Sequence, residues 1–391
     1  MEVSIDPLWP FNQGRATWRC SINNDGQVDF GEQGIAGVTI MLTGAPRRIA
    51  HGPPVLQGDT AMKRNQQPLR RATLHLDALE DRCLLSAGAL DLSFDADGLV
   101  TTSLGTVNNG AAFGVAIYHN DGATNEGKIV AGGTADMGTP TKSNLDFAVV
   151  RYNGNGSLDA TFGNNGVVTT GLAGSDHLGD VAIQPDGKIV AAGSTYSSGQ
   201  NAAFALARYT MSGKLDKTFG SNGKVQTSFL PKNASTDAAY ALVIQADGKI
   251  VAAGSSSSGI TDGIGLARYN ADGSLDAAFN GTGLVTTSMP GYSHAFARDV
   301  TLDQTGRIIV AGYARVPSGE NSPFVIRYNA NGSLDTTFGG TGIVVATQLH
   351  AYWIGGNVTL QSDGKIVVGW VNGLARYNPD GSLDDGSRSP V

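Results

Sequence analysis

Several aromatic, histidine and aspartate side chains stand out from a chain in which most segments are repeated. Aromatic rings beside polar groups on a concave rim suit the recognition of sugars or peptides. The candidate ligand-binding residues are Asp176, His177, Tyr240, Tyr292, His294, His350, Tyr352 and Trp353. The alternative is that these side chains only pack over the mouth of a channel.

The sequence offers little support for catalysis. None of the 6 histidines forms an HExxH motif or another close metal-spaced cluster. No GxSxG, Walker-type loop or strand-flanked GxGxxG occurs. We therefore expect no enzyme and no cofactor. A propeller glycosidase or lyase is the alternative. It would need a pair of carboxylates that converge on the face of the fold where the loops vary in length and content.

The elements that would position these residues come from a repeat. One segment recurs as residues 181–193, 243–254, 300–312 and 358–369, and a first copy at residues 115–133 is stretched by an insertion. The Leu-Asp pairs that follow the copies are 57, 60, 59 and 49 residues apart. The chain is therefore an array of similar units.

Each unit contains an Arg-Tyr pair followed by a Leu-Asp pair. The arginines and aspartates are Arg151 and Asp159, Arg208 and Asp216, Arg268 and Asp276, Arg327 and Asp335, and Arg376 and Asp384. A residue needed once for chemistry should appear once, so we expect these charges to bond the third strand to the segment after it. The turns 153–159, 270–276 and 329–335 place oxygens at alternate positions, which leaves Ca²⁺ as an alternative to simple tight turns.

Short strands separated by Gly-containing turns make up each unit. In the second unit they are residues 181–184, 188–193, 204–209 and 224–228. Four short antiparallel strands repeated around an axis are typical of a propeller blade. A unit of this length is too short for an immunoglobulin-like sandwich and too long for a β-solenoid. The prediction is an all-β propeller of about five four-stranded blades.

The ends of the repeat predict how the ring closes. The fifth unit has only three strands, whereas residues 98–102 (GLVTT) form an extra strand before the first unit. Pairing residues 98–102 with residues 373–377 would satisfy both sheet edges. A break before a sixth or seventh blade is the alternative, since residues 382–384 begin another unit.

Composition limits the class of protein and its partners. Of 391 residues, 54 are glycine, charged residues make up 16%, and the net charge is −7. An acidic body without a basic stripe argues against nucleic acid as partner. The only cysteines, Cys20 and Cys83, precede the repeats and provide neither a disulfide framework nor a cysteine metal site. No apolar run is long enough to span a bilayer.

Residues 1–61 form a non-repeat extension. Within it, residues 22–44 resemble part of a Ca²⁺-binding, Ig-like module of bacterial surface proteins, with matching positions Asn23, Asp25, Asp29 and Glu32. The module is cut off near Gly44, which favours a remnant or an over-extended gene start before Met62.

Residues 62–89 are a targeting-like segment with a basic start. Their string LEDRCLLS resembles the LExRxLLS segment near the start of many planctomycete surface and secreted proteins. The resemblance implies export and an extracellular or cell-surface location. A short basic amphipathic helix is the alternative.

Residues 90–385 resemble the delta-60 repeat family through DGKIVAAG followed by ARYNxDGSLDxxFG, and residues 386–391 form a tail. The family resembles β-propellers with NHL-type blades, and its members mostly lack an assigned activity. The resemblance implies an exported propeller of unknown ligand. Because the sequence shows no catalytic constellation, we expect a non-enzymatic scaffold or interaction module with a protein or glycan partner. We expect a monomer, and a carbohydrate-binding propeller is the main alternative.

Overall fold

A computed structural model describes residues 2–3, 18–22, 28–30, 90–104, 110–119, 125–139, 142–197, 201–230, 236–257, 262–346, 356–370 and 373–384. The chain divides into two compact units, residues 1–80 and 81–391. The first contains one small antiparallel sheet of strands β1 (Glu2–Val3), β2 (Trp18–Ile22) and β3 (Val28–Phe30). Asn23, Asp25, Glu32 and residues 62–89 lie outside the described residues.

Five antiparallel sheets follow one another in chain order in the second unit, which confirms the predicted all-β, five-bladed architecture. The first blade has β4 (Gly110–Ile117), β5 (Ile129–Asp136), β6 (Leu145–Tyr152) and β7 (Val167–Thr170); the second has β8 (Ser175–Ile183), β9 (Ile189–Ser197), β10 (Asn201–Tyr209) and β11 (Lys224–Thr227). The third has β12 (Ala238–Ile244), β13 (Ile250–Ser257), β14 (Asp262–Tyr269) and β15 (Leu284–Thr287). The fourth has β16 (His294–Leu302), β17 (Ile308–Arg315), β18 (Asn321–Tyr328) and β19 (Ile343–Val345), and the fifth has β20 (Asn357–Leu360), β21 (Ile366–Trp370) and β22 (Gly373–Tyr377). Within the described residues there is no helix long and apolar enough to cross a membrane.

The turn between β8 and β9 shows how the repeated sequence forms a blade. The Gly187 N–H donates to the Gln184 carbonyl at 2.8 Å, and Gly187 has a φ of +77°. A residue with a Cβ is disfavoured in this left-handed region, which explains the glycine of the DGK turn. The strands beyond the turn are short and rich in Val, Ile and Ala. In β13 every residue is buried, so the strand shows no polar alternation.

The hydrophobic core lies between blades rather than inside a single one. Each of four buried clusters joins two consecutive sheets; one of them packs Ile264 and Leu266 of the third blade against Val300 and Phe324 of the fourth. The phenylalanine of each Leu-Asp-x-x-Phe segment is fully buried, as Phe219 illustrates. These rings therefore pack between adjacent blades.

The repeated charges lock consecutive blades together. In the second blade the Arg208 Nε donates to Asp216 Oδ2 at 2.9 Å, and its Nη1 donates to the Ala271 carbonyl of the third blade. The Arg208 guanidinium also lies 4.5 Å from the ring centroid of Phe219. The same ion pair recurs at 2.6–2.8 Å in the other four units, so the predicted Arg–Asp bonding is confirmed.

The closure of the last blade differs from the prediction. Within the described residues the fifth sheet has three strands, and residues 98–102 form no strand beside β22. The Thr102 hydroxyl instead lies 2.8 Å from the Tyr152 hydroxyl of the first blade. Tyr209 makes the same bond with Thr170 of the blade before it, so the segment keeps the contact of a fourth strand with the following blade and lacks the pairing with a third strand. The segment therefore docks on the blade that follows it.

Candidate functional site

The strand register places the variable connections at one end of the blades. Ser175, at the start of β8, pairs with Tyr196 near the end of β9, and Phe204 pairs with Thr227 at the end of β11. The blade-to-blade links and the connections between second and third strands therefore share this end, which we call the loop face. The short DGK turns lie at the opposite end, the turn face.

A β-bulge occurs at the same place in the first strand of four blades. The register shifts around Phe113, Gly179, Tyr240 and Arg298. A bulge leaves one residue unpaired and re-aims its side chain. Each bulge requires a glycine opposite it, because a Cβ on Gly193 would overlap the carbonyl oxygen of the bulged strand. A non-repeating side chain can therefore be presented from an otherwise regular scaffold.

Arg298 is surrounded by aromatic rings. Its guanidinium carbon lies 4.5 Å from the ring centroid of Tyr240, 5.4 Å from that of Tyr313 and 5.9 Å from that of Phe296. Its Nη2 donates to the Tyr313 hydroxyl at 3.2 Å. These four residues form the arginine cluster. Arg298 comes from the fourth blade and Tyr240 from the third, so the cluster spans a blade interface.

Tyr240 is the candidate residue that the structure places inside this cluster. Burial raises the pKa of its phenol, while a hydrogen bond with Ser255 and the charge of Arg298 act in the opposite direction. The phenol therefore stays protonated at neutral pH and can donate or accept a hydrogen bond. A ring with a neutral hydroxyl beside a fixed cation can bind a polar ligand that also has an apolar face.

The two described candidate histidines lie beside rings on the loop-face half of the first strands. His177 is exposed and meets the Tyr196 ring edge-on, with centroids 5.4 Å apart. His294 stacks on Phe296 at 6.3 Å, which connects it to the arginine cluster. Phe296 in turn lies 5.1 Å from Tyr313. The second strands therefore add two rings, Tyr196 and Tyr313, to the aromatic residues that the sequence predicts for this face.

Asp176 and Tyr292 have structural contacts. Asp176 is fully buried and accepts a 2.6 Å hydrogen bond from the Leu172 N–H, which holds the link between the first two blades. Tyr292 is partly buried against the core of the third and fourth blades, and its N–H donates to the Met289 carbonyl at 3.1 Å. Neither side chain is freely presented to a ligand. The remaining candidates lie outside the described residues: His350, Tyr352 and Trp353.

Sequence reasoning missed four members of this site: Tyr196, Phe296, Arg298 and Tyr313. A signal for two of them was present in the repeat. Arg298 stands at the bulge position occupied by Gly179 in the second blade, and Tyr313 follows the bulge-facing glycine where the other bulged units have Ser or Thr. Tyr313 is a single departure at its position, whereas the bulge position holds a different residue in each of the four blades. Only the bulge pairing shows that these positions converge.

Two partly buried carboxylates lie next to the bulges. Asp180 accepts hydrogen bonds from the N–H groups of Val181 (2.7 Å) and, in the next blade, Leu242 (3.1 Å). Asp299 likewise accepts from Val300 at 2.8 Å and from the next blade at 2.7 Å. The pKa of Asp180 is raised to about 6, chiefly by burial. The two hydrogen bonds act in the opposite direction, and the charge of Asp299 adds to the rise. Burial also raises the pKa of Asp299.

The Asn-x-Asp-Gly turns use their oxygens within the turn. Asp272 Oδ1 accepts hydrogen bonds from the Ser274 N–H (2.9 Å) and hydroxyl (2.6 Å), and Asn270 donates to the Ser274 hydroxyl at 3.0 Å. These bonds account for the Asn and Asp side chains as turn formers. No group of three or more potential metal-binding side chains gathers in the part of the chain that the structure describes.

Comparison with known families gives matches in all five units. Residues 125–162, 184–219, 245–279, 304–338 and 361–386 match the family described as "Domain of unknown function (DUF5122) beta-propeller". No curated protein sequence matches the chain.

Two solved structures of low identity are among those similar to the chain. A protein of unknown function from Dyadobacter fermentans DSM 18053 is 9% identical, with a TM-score of 0.42 over 72% of this chain and 84% of that one. The Hadza microbial sialidase Hz136 is 11% identical, with a TM-score of 0.39 over 62% of this chain and 53% of that one. At these values neither likeness bears on function. The five family matches and the five successive sheets show that the chain is a β-propeller repeat protein.

Proposed function

We propose that the chain is an exported, non-enzymatic propeller that acts as an interaction module at the cell surface and binds its ligand on the loop face. The observation that carries this proposal is the arginine cluster. It gathers Tyr240, Phe296, Arg298 and Tyr313 from two blades at positions where the repeat is broken. A scaffold presents a specific site where its sequence stops repeating.

The repeated polar groups support this assignment because they already have structural partners. Each arginine of the Arg-Tyr pairs bonds its aspartate, as Arg327 and Asp335 do at 2.8 Å. The lysine before the second strand adds a further ion pair, such as Lys249 with Asp276 at 3.0 Å. Groups engaged in this way are poorly suited to ligand binding. The aromatic rings of the loop face, which do not repeat from blade to blade, are therefore the groups left for ligand binding.

A glycan is the ligand class that suits these rings best. Tyrosine faces can stack on the apolar face of a sugar while their hydroxyls bond its polar groups. His177 and Tyr196 extend the ring surface beyond the arginine cluster. A protein partner is the alternative, since aromatic and arginine side chains are also enriched at protein interfaces.

A glycoside hydrolase is the second candidate, and one observation favours it. Burial raises the pKa of both Asp180 and Asp299, and the charge of Asp299 further raises that of Asp180; a raised carboxyl pKa is what a general acid needs. Each carboxylate, however, accepts two backbone hydrogen bonds, one of them from the next blade. We therefore propose that this pair stabilises the blades.

The test is binding of the full chain to a glycan array and to cell-wall polysaccharide. We expect a limited set of glycans to bind, and Tyr240→Ala and Tyr313→Ala to reduce the affinity at least tenfold, the effect of losing an aromatic hot spot. Asp186→Ala, on the turn face, is the matched control and should leave the affinity unchanged. Hydrolysis of a bound glycan that is lost in Asp180→Asn would replace this proposal with the hydrolase.

Export is tested separately by cell fractionation. A tagged full chain should reach the extracellular or surface fraction of a planctomycete host, because residues 62–89 carry the LEDRCLLS segment. Replacing Leu84 and Leu85 with Asp should retain the protein inside the cell. Equal export of both forms would show that this segment does not direct the protein.

A further inference from the structure

Arg298 differs from the other stacked arginines in one respect. Arg151, Arg208, Arg268 and Arg327 each lie 4.5–4.7 Å above a phenylalanine ring and bond an aspartate at 2.7–2.9 Å. Arg298 also stacks on rings, yet within the described residues no carboxylate lies at ion-pair distance. At these four arginines the guanidinium has both an aromatic ring and a carboxylate beside it. At Arg298 the described residues supply the rings but not the carboxylate.

Among the described residues, Arg298 finds partners for little of its hydrogen-bonding capacity. A guanidinium has five N–H donors. Its one hydrogen bond to a described side chain runs from Nη2 to the Tyr313 hydroxyl at 3.2 Å, and its Nε is buried without a partner. Nη1 donates to none of the described residues. A partly buried guanidinium in this state is a strong site for an anion, since a carboxylate can accept two parallel bonds from it.

The two carboxylates that stand beside the bulges bond to backbone N–H groups and form no ion pair with Arg298. Asp299 follows it in sequence, but its oxygens accept from the Val300 and Val358 N–H groups at 2.8 and 2.7 Å. Asp180 is likewise bonded to backbone in its own blade and the next. The charge of Arg298 therefore faces the rings of Tyr240, Phe296 and Tyr313 rather than a carboxylate.

We propose that Arg298 binds the carboxylate of an acidic sugar, a uronic acid residue, whose ring stacks on the tyrosines of the arginine cluster. This inference rests on the proposed function and specifies its ligand class. A uronic acid combines a carboxylate with an apolar ring face in one residue, which matches a guanidinium flanked by tyrosines. The chain as a whole carries a charge of −7, so the attraction must be local.

The experiment measures binding of the full chain to three galactose-based oligomers of equal length by calorimetry. They are oligogalacturonate, its methyl ester and the neutral oligogalactoside. We expect the acidic oligomer to bind at least tenfold more tightly than either of the others, and added salt to weaken it. Polyglutamate is the fourth ligand, and tighter binding of this peptide than of the acidic oligomer would overturn the sugar assignment.

Variants of Arg298 distinguish a direct contact from a structural role. Arg298→Gln should abolish the preference for the acidic oligomer, and Arg298→Lys should retain part of it with the fold intact by circular dichroism. Arg307→Gln on the turn face is the matched control, because Arg307 pairs with Asp303 at 2.6 Å; we expect its affinity to be unchanged.

The outcomes separate this inference from the proposed function. Equal binding of the acidic and neutral oligomers would overturn the role of Arg298 while leaving a glycan-binding propeller in place. An unchanged preference in Arg298→Gln would do the same. If none of the three oligomers binds, the uronic acid assignment falls, and the glycan array decides the proposed function by itself.

Discussion

Asp180 accepts a hydrogen bond from the Leu242 N–H at 3.1 Å, which joins the first strands of two consecutive blades with a partly buried carboxylate. Burial raises the pKa of this carboxyl to about 6, from an ordinary value of 3.8. The folded protein therefore holds this proton more tightly than the unfolded chain does. The resulting stabilisation is complete below pH 3.8 and is lost as the pH rises through 6.

The first prediction is a fall in stability between pH 4 and pH 7. Asp180 should contribute about 2–3 kcal/mol to this difference, since one pKa unit corresponds to about 1.4 kcal/mol. The free energy of unfolding in urea, measured across this range, checks it. Asp180→Asn should flatten the dependence, and the same slope in the variant would assign the effect to another group.

The second prediction concerns acid below this range. Burial of Asp216 alone would raise its pKa, but hydrogen bonds from Thr218 and Lys188 and the charge of Arg208 lower it to about 2. This stabilisation is present above the unfolded value of 3.8 and is lost as the pH falls through 2. We expect a loss of about 2 kcal/mol from Asp216, measured by urea unfolding from pH 5 downwards. Asp216→Asn should be less stable than wild type at pH 5 and should lose less on acidification.

The third prediction compares two arginines in the same repeat position. Arg208→Met leaves Asp216 buried and removes the bond to the Ala271 carbonyl of the next blade. We expect a loss of about 3 kcal/mol, the scale of breaking a buried ion pair. Arg376→Met is the control, because Arg376 is 44% exposed in its side chain and lies in the last blade; its loss should stay below about 1 kcal/mol. Equal losses would show that the bond to the next blade contributes little.

The fourth prediction tests the glycine opposite a bulge. A Cβ on Gly193 would overlap the His177 carbonyl oxygen, which belongs to the paired strand. Gly193→Ala should destabilise the fold by about 2–3 kcal/mol, the scale of overpacking against rigid backbone. At Gly369 the nearest atom is the movable end of the Leu374 side chain at 3.3 Å, so Gly369→Ala should cost less than about 1 kcal/mol. Thermal or urea unfolding of the two variants decides it.

The repeat itself determined the blades. Turn glycines such as Gly187 and the short apolar runs beside them act within a few residues, so their effect is visible in the sequence. Repetition also separated the charges with structural partners from the residues that occur once. The pairing of Arg208 with Asp216, eight residues apart, could be inferred for the same reason.

Only the tertiary structure decided the closure and the site. Residues 98–102 look like a missing strand in sequence, but Thr102 bonds Tyr152, because the contacts of this segment are made with the blade after it. Arg298 and Tyr240 are 58 residues apart and meet because bulges in adjacent blades point them at each other. The distance between two residues of different blades depends on how the many other residues between them pack. The repeat shows which residues differ from their equivalents in other units, but it does not show which of these residues meet in the fold.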